Sequence, residues 1–369
     1  MEIIHVVLGK ANPARMNGVN KVVNELATQQ VMAGEQVSLW GIAQNTEHDY
    51  PERPYKTKLF QAYKNLFKLD PALVAALEEY KNKAIFHIHG GFIPTFYKLG
   101  RELYKRKIPF VFTPHGSYNV IALEKSKWRK KLYIELYEKK LLKYAYRIHC
   151  LGKSEMDGLQ RLYKNDKAVL IPYGFENAAL KKETAMPKDF VIGFCGRIDI
   201  YTKGLDVLLK AFALFVKQQP HAELWVIGDS NERTDLQDMA EDLGILRHTT
   251  FFGSKFGEEK NNLLQQMQLF AHPSRNEGLP TAVLEAASFG IPCVVTEATN
   301  MGDAIRKYNC GEVISQPSET ALYEAILKIY NHTITNGMEE LSNNAQRMVT
   351  EGFNWKTILQ HFNKLYNRA

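Results

Sequence analysis

Residues 269–296 read LFAHPSRNEGLPTAVLEAASFGIPCVVT. The order of residue types is strand, loop, helix, turn, strand. Leu269 to Ala271 is a short apolar run of the kind that ends a buried strand. His272 to Gly278 is polar and holds Pro273, Ser274 and Asn276. Pro280 suits the first residue of a helix, where its missing N–H costs no intrahelical bond. Ala282, Val283, Leu284, Ala286 and Ala287 carry that helix to Gly290, a helix-ending residue with Pro292 just beyond. Cys293 to Thr296 then re-enters the sheet. A unit of this order places a loop and a helix N-terminus at the carboxyl end of a parallel strand. Open α/β sheets bind ligands there, and unpaired helix N–H groups attract phosphate.

The same scheme extends along the chain. Candidate strands of the first half are Ile3–Leu8, Val37–Ile42, Ala84–His89, Ile108–Thr113, Tyr146–Leu151 and Val169–Ile171. Those of the second half are Phe190–Cys195, Glu223–Ile227, Thr249–Phe252, Leu269–His272, Cys293–Thr296 and Glu312–Ile314. Helical patterns lie between them, so the fold class is α/β, with two doubly wound parallel-sheet domains. A length of 369 residues suits two domains. The expected domains are 1–172 and 189–353, joined by the polar stretch Pro172–Lys188. Residues 354–369 read as a terminal helix with Trp355, Ile358, Leu359, Phe362 and Leu365 on one side.

Two carboxylates stand in the otherwise small and apolar segment 269–296. Glu277 is in the loop, and Glu285 lies about one and a half turns into the helix. A carboxylate accepts paired hydrogen bonds from vicinal hydroxyls, so beside a phosphate site its natural partner is a sugar or ribose. Taken singly, each is equally a solvated surface Glu. Upstream, Gly196-Arg197 follows a strand, and Lys203-Gly204 precedes a helix over Leu205–Phe215. Arg and Lys in such a loop can clamp a diphosphate. Neither Gly-x-Gly-x-x-Gly nor a P-loop motif occurs, which removes the NAD and P-loop readings.

The pattern Pro273-Ser274-x-x-Glu277-Gly278, with Glu285-Ala286 and Gly290-x-Pro292-x-Val294-x-Thr296 after it, resembles the donor-site signature of retaining glycosyltransferases of the two-domain GT-B type, family 4. Gly196-Arg197 to Lys203-Gly204 is similar to that family's pyrophosphate motif. The resemblance implies two Rossmann-like domains facing a central cleft, an acceptor-binding first domain, a sugar-nucleotide-binding second domain, and a last helix returning to the first domain. Arg197 and Lys203 would meet the leaving diphosphate, Glu285 the ribose and Glu277 the hexose. Leu279-Pro280 stands where the family often has Phe-Gly. Pro280 has no N–H, so Gly278, Leu279 or Thr281 must supply the backbone donors. Ser254 and Lys255, in the loop that holds the base in the family, join the donor set.

In the first half, the loop Gly9–Gly18 has Asn17-Gly18 where the family usually has Gly-Gly. Gly18 would admit a ligand close to the backbone, or simply open the helix Val19–Ala33. His89 and His115 each end a strand beside Gly, where a side chain can reach the crevice. The family's first-domain active-site His matches His115. His5, His87 and His149 lie within strands and read as core residues.

The net charge is +7, unevenly spread. Residues 1–180 hold 28 Lys and Arg against 17 Asp and Glu; the remainder hold 19 against 23. A basic first half suits an anionic partner. Its most basic stretch, 124–147, carries Trp128, Leu132, Leu136 and Leu142 among Lys and Arg. That is either an interfacial helix on an anionic membrane or a packed helix with a solvated basic face. Cys150, Cys195, Cys293 and Cys310 show no metal-binding spacing and fit reduced, buried thiols of a cytoplasmic protein, peripheral on the inner membrane face if the basic helix docks. No Asp-x-Asp occurs, which fits metal-independent transfer with no cofactor.

The resemblance implies retaining transfer of a hexose or N-acetylhexosamine from a nucleotide-diphosphate sugar, UDP before GDP, to a glycan or lipid-linked acceptor in surface polysaccharide or lipopolysaccharide synthesis. A sugar-nucleotide 2-epimerase shares the architecture. A nucleic-acid-binding protein is the reading from charge alone, but no nucleic-acid motif occurs and the sharpest motifs lie in the acidic half.

Overall fold

Alternating strands and helices build two parallel sheets in the computed structural model, which describes residues 1–12, 18–120, 123, 127–176 and 189–367. The chain divides into two units, Met1–Gly174 with Trp355–Ala369, and Phe175–Asn354. Asn17 and residues 177–188 of the expected linker lie outside the described residues.

The first unit contains β1 (Glu2–Leu8), β2 (Val37–Ala43), β3 (Lys56–Gln61), β4 (Ala84–His89), β5 (Phe110–Thr113), β6 (Arg147–Cys150) and β7 (Ala168–Leu170). Their order is β3-β2-β1-β4-β5-β6-β7, all parallel. The sequence predicts six strands here, and β3 is the addition. Its sequence KTKLFQ puts Lys56 and Lys58 on exposed positions. An edge strand tolerates that charge because it pairs on one side only, and so it lacks the apolar run that marks an inner strand.

The second unit contains β8 (Val191–Cys195), β9 (Glu223–Ile227), β10 (Thr249–Gly253), β11 (Leu269–His272), β12 (Cys293–Thr296) and β13 (Gly311–Ile314), ordered β10-β9-β8-β11-β12-β13. Period-two alternation divides its core. Ile192, Phe194, Leu224, Val226, Leu269 and Ala271 belong to one apolar cluster. Val191, Cys195, Trp225, Ile227, Phe270 and Cys293 belong to another. Each strand is therefore covered on both faces, which is why it reads as a continuous apolar run. In both sheets the strand order reverses beside the first strand, between β1 and β4 and between β8 and β11. Ligands bind open α/β sheets at such reversals. The ends of β8 and β11 carry the two motifs of the second half.

The terminal helix Trp355–Tyr366 buries Trp355, Ile358, Leu359, Phe362, Leu365 and Tyr366 within the first unit. None of the four Cys forms a disulfide. No helix among the described residues is long and apolar enough to cross a membrane.

The basic stretch, whose residues 124–126 lie outside the described residues, is helical without a break from Lys127 to Tyr144 but contains a π turn. It is α-helical over Lys127–Tyr133, a π turn over Ile134–Glu138 and α-helical again over Lys139–Tyr144. The extra residue of the π turn rotates the second segment relative to the first. Trp128, Leu132 and Leu136 are exposed, whereas Leu141 and Leu142 are buried. The turn also carries Glu138 inward, where it accepts from the Phe92 N–H at 2.9 Å and the Tyr118 hydroxyl at 2.5 Å. Burial, partly opposed by those two donors, pushes its carboxyl up to about 7.

Candidate functional site

In the second unit, two loops meet at the reversal of the sheet. The first follows β8 and runs Gly196-Arg197-Ile198 into a single helical turn, Ile200–Lys203. Asp199 caps that turn by accepting from Thr202 N–H at 2.8 Å. Gly204 ends it with φ +68°, and the helix Leu205–Gln218 starts at once. The second loop follows β11 and runs from Pro273 to the helix Thr281–Ser288. Pro280 is the cap rather than the first helical residue, with extended ψ of 103°. Thr281 opens the helix, so its N–H has no intrahelical acceptor.

Arg275 stitches the loops together. Its N–H donates to Thr202 O at 2.8 Å, and its guanidinium donates to Tyr201 O at 2.7 Å. The same guanidinium forms a forked pair with Asp206 at 2.7 and 2.8 Å. Such a planar fork fixes geometry as well as charge. Gly204 makes the close approach feasible, since a Cβ there would lie 2.1 Å from Pro273 O. On the other side, Asn300 donates to the carbonyls of Glu277 and Gly278 at 3.0 and 2.8 Å.

This stitching brings Lys203 to Glu277. The ammonium donates to Glu277 Oε1, and both side chains are nearly buried, at 19% and 14% exposure. His272 Nε2 and the Ser274 hydroxyl reach the same oxygen at 3.0 and 3.2 Å. Burial alone would raise the Glu277 carboxyl; hydrogen bonds from His272 and Lys203, with the Lys203 charge, outweigh it and hold it at about 2. Burial lowers His272, so the ring is neutral and donates a hydrogen bond from Nε2–H to the ionised Glu277. Glu285 pairs with Lys260 at 2.6 Å. Arg197 extends into solvent beside Asp199 at 3.2 Å. Ser254 is exposed, and Lys255 pairs with Glu259.

In the first unit, His115 and Gly116 both adopt positive φ, +53° and +77°. A left-handed His is uncommon and is held by its surroundings. Glu155 does the holding, accepting from the Gly116 N–H and, at 3.0 Å, from Leu151 N–H. Tyr173 stacks on the His115 ring at 5.7 Å. His89 is corrected from a ligand-reaching residue to a supporting one. It is 2% exposed, and its two ring nitrogens meet His5 at 2.9 Å and His115 at 3.0 Å. Gly18 opens the helix Gly18–Met32, and nothing stands within 4 Å of a Cβ placed on it. A cavity of about 490 Å³ opens at the carboxyl ends of β1 and β2, with Lys10, Asn45, Tyr63 and Lys68 in its wall.

Arg275, His272, Lys260 and Glu155 were not legible as site residues. Arg275 occupies a variable position of its motif, and Lys260 resembles any helix-surface Lys. His272 ends a strand as His89 and His115 do, and that position is the one signal that marks it.

The sequence pattern described as "Glycosyl transferases group 1" matches residues 175–348, which contain both stitched loops. The pattern described as "Glycosyltransferase Family 4" matches 16–177. The chain belongs to the group 1 glycosyltransferases. Among relatives of this glycosyltransferase, the capsular polysaccharide biosynthesis protein CapM of Staphylococcus aureus is 25% identical over 179 residues, 48% of this chain and 46% of CapM. The chain thus spans about half the length of the curated relatives it matches. Sucrose-phosphate synthase from Thermosynechococcus elongatus superposes with TM-score 0.78 at 20% identity, covering 99% of this chain and 98% of that one. HepE from Anabaena, solved with UDP and glucose, superposes at 0.76 with 16% identity over 99% and 98%. These likenesses show the GT-B fold of the group 1 glycosyltransferase.

Proposed function

We propose that the protein is a retaining glycosyltransferase that moves a hexose or N-acetylhexosamine from a nucleotide-diphosphate sugar to a glycan or lipid-linked glycan. The observation that carries this reading is the stitched pair of loops, which sets a buried, charge-matched Lys203 and Glu277 at a sheet reversal. An incoming diphosphate offers Lys203 a second anion. Arg197, extended into solvent, is placed to join it. As the bond from sugar to diphosphate breaks, negative charge grows on the leaving oxygen, and fixed cations there stabilise the transition state more than the ground state. Glu285 receives the ribose hydroxyls. Glu277, ionised because its pKa is held near 2, receives hexose hydroxyls and stabilises positive charge at the sugar carbon. Backbone N–H groups of Gly278, Leu279 or Thr281 serve the donor, with Gly196 lining the diphosphate loop and Ser254 and Lys255 beside the base; the Gly196 N–H itself is held by Ile227 O at 2.9 Å. His115 contacts the donor hexose or acceptor hydroxyl. The cavity at β1 and β2 suits the acceptor.

UDP is the favoured nucleotide, supported by the UDP held in the structural relative HepE. The absence of Asp-x-Asp supports transfer without a metal ion. The capsular role in CapM's name supports a surface polysaccharide product, lipopolysaccharide included. A thermal-shift series with UDP, GDP, dTDP and CMP, with and without EDTA, tests the reading. Stabilisation by UDP that survives EDTA is expected, because a ligand of the native state raises its melting temperature by mass action. No shift with any nucleotide would overturn the reading.

Peripheral contact with an anionic membrane belongs to the same proposal. Trp128, Leu132 and Leu136 are 70%, 55% and 42% exposed and recur every four residues among Lys130, Lys131, Lys139 and Lys140. Aromatic and aliphatic groups flanked by Lys suit an anionic interface. Sedimentation with vesicles containing phosphatidylglycerol is expected, and none with phosphatidylcholine alone. A Trp128→Ser variant that sediments as well as the wild type would remove this contact.

A further inference from the structure

A single hydrogen-bonded chain runs through five histidines of the first unit, and its direction follows from one backbone carbonyl. Burial pushes His5 and His149 down to about 4 and His115 to about 3, and it lowers His87 and His89 well below the ordinary value. All five rings are therefore neutral near pH 7, and each has one N–H and one lone pair.

The chain starts at Ile171, whose carbonyl only accepts. His149 Nε2 lies 2.6 Å away and must carry the proton. His149 Nδ1 is then a lone pair and accepts from the Thr113 hydroxyl at 2.8 Å. With its proton so used, Thr113 accepts from His87 Nε2–H at 2.6 Å. His87 Nδ1 accepts from the Tyr366 hydroxyl at 2.8 Å. Tyr366 oxygen accepts from the Gln30 amide at 3.3 Å, which turns the Gln30 carbonyl toward His5. That carbonyl accepts from His5 Nε2–H at 2.7 Å. His5 Nδ1 accepts from His89 Nε2–H at 2.9 Å, and His89 Nδ1 from His115 Nε2–H at 3.0 Å. The Tyr173 hydroxyl lies farther from the same His115 nitrogen, at 3.4 Å. Each link is forced by the one before. At the far end the half-buried His115 ring is left with its lone pair on Nδ1.

We propose that this chain fixes His115 as the Nε2–H tautomer, and that Tyr366 on the terminal helix is the positioning residue that sets the direction of its second half. The tautomer rests on the hydrogen-bond geometry. Its consequence rests on the proposed function: His115 Nδ1 accepts the proton of a sugar hydroxyl and does not donate one. The three nearest rings, His5, His87 and His89, also bring nitrogen atoms within 4.8 Å of one another. A cation there would need lone pairs that the chain commits to hydrogen bonds, so it is a rival outcome.

The test uses the full chain with histidine labelled with ¹⁵N, its ring nitrogens read by long-range proton correlation and His115 assigned by comparison with His115→Gln. In the wild type, His115 is expected as one form, Nε2 protonated and Nδ1 bare. Tyr366→Phe removes the donor to His87 and the acceptor of Gln30, so Gln30 can turn over. His115 is then expected as a mixture of both tautomers. Gln30→Leu cuts the next link and is expected to do the same, which keeps the test open if Tyr366→Phe does not fold. A wild-type His115 with its proton on Nδ1, an unchanged tautomer in both variants, or one equivalent of bound zinc with metal-shifted nitrogens would each overturn the proposal. Because the spectrum is taken without substrate, failure of the transferase reading would appear separately, as wild-type protein that binds no nucleotide.

Discussion

Lys203→Ala is expected to lower the transfer rate by about 10²–10³-fold while leaving the fold in place, the usual loss when one preorganised donor is taken from a developing anion. The ammonium is nearly buried and already oriented by Glu277, so no reorganisation is needed when the diphosphate departs. The change also takes the Lys203 charge from Glu277, while His272 and Ser274 continue to reach the same oxygen. The carboxyl should then rise above about 2, because the burial that opposes its ionisation remains. Initial rates with saturating donor, set beside a melting curve, separate the catalytic loss from a loss of structure. A rate within a factor of about three of wild type, well short of the loss of one such donor, would remove Lys203 from the leaving-group role.

Gly204→Ala is expected to destabilise the second unit by about 2–4 kcal/mol. Two causes add. Alanine in the left-handed region costs about 1–2 kcal/mol. A Cβ at Gly204 would also lie 2.1 Å from Pro273 O, a backbone atom that moves only if the loop moves. At about 2–4 °C per kcal/mol for a unit of this size, the melting temperature falls by about 5–15 °C. Nucleotide affinity should fall as well, since the same contact brings Lys203 to Glu277. Gly244 is the control. Its φ is +69°, yet nothing stands within 4 Å of a Cβ placed on it, so Gly244→Ala carries the backbone cost alone. Equal melting shifts in the two variants would show that the clash with Pro273 plays no part.

Much of this was legible because the signal is local. Inner parallel strands buried on both faces read as apolar runs, and the edge strands β7, β10 and β13 keep enough apolar residues to show as well, so twelve of the thirteen described strands are visible. β3 escaped because an edge strand needs apolar residues on fewer positions. The π turn at Ile134–Glu138 escaped because nothing in a helical repeat announces an extra residue; the Glu138 carboxylate turned inward is its result, not its cue. The motif residues Arg197, Lys203, Glu277 and Glu285 stand out at strand ends, and as a set through their resemblance to the family's donor-site pattern. What spacing does not contain is the pairing between loops: Arg275 with Asp206, Lys203 with Glu277 and Lys260 with Glu285 join segments far apart in the chain. The histidine chain shows the same limit. His5, His87 and His149 read correctly as buried strand residues, but their common thread passes through Gln30 and Tyr366, on two helices at opposite ends of the sequence.

If the loops joined at Gly204 and Arg275 form a nucleotide-diphosphate site, their two exposed or poised cations must carry UDP binding. Calorimetric titration of UDP into the wild type and into the Arg197→Ala, Lys203→Ala double variant tests this most directly. Saturable binding at one site per chain is expected in the wild type, unchanged by EDTA, with no measurable binding in a double variant that remains folded. Equal UDP affinity in the two proteins would contradict it.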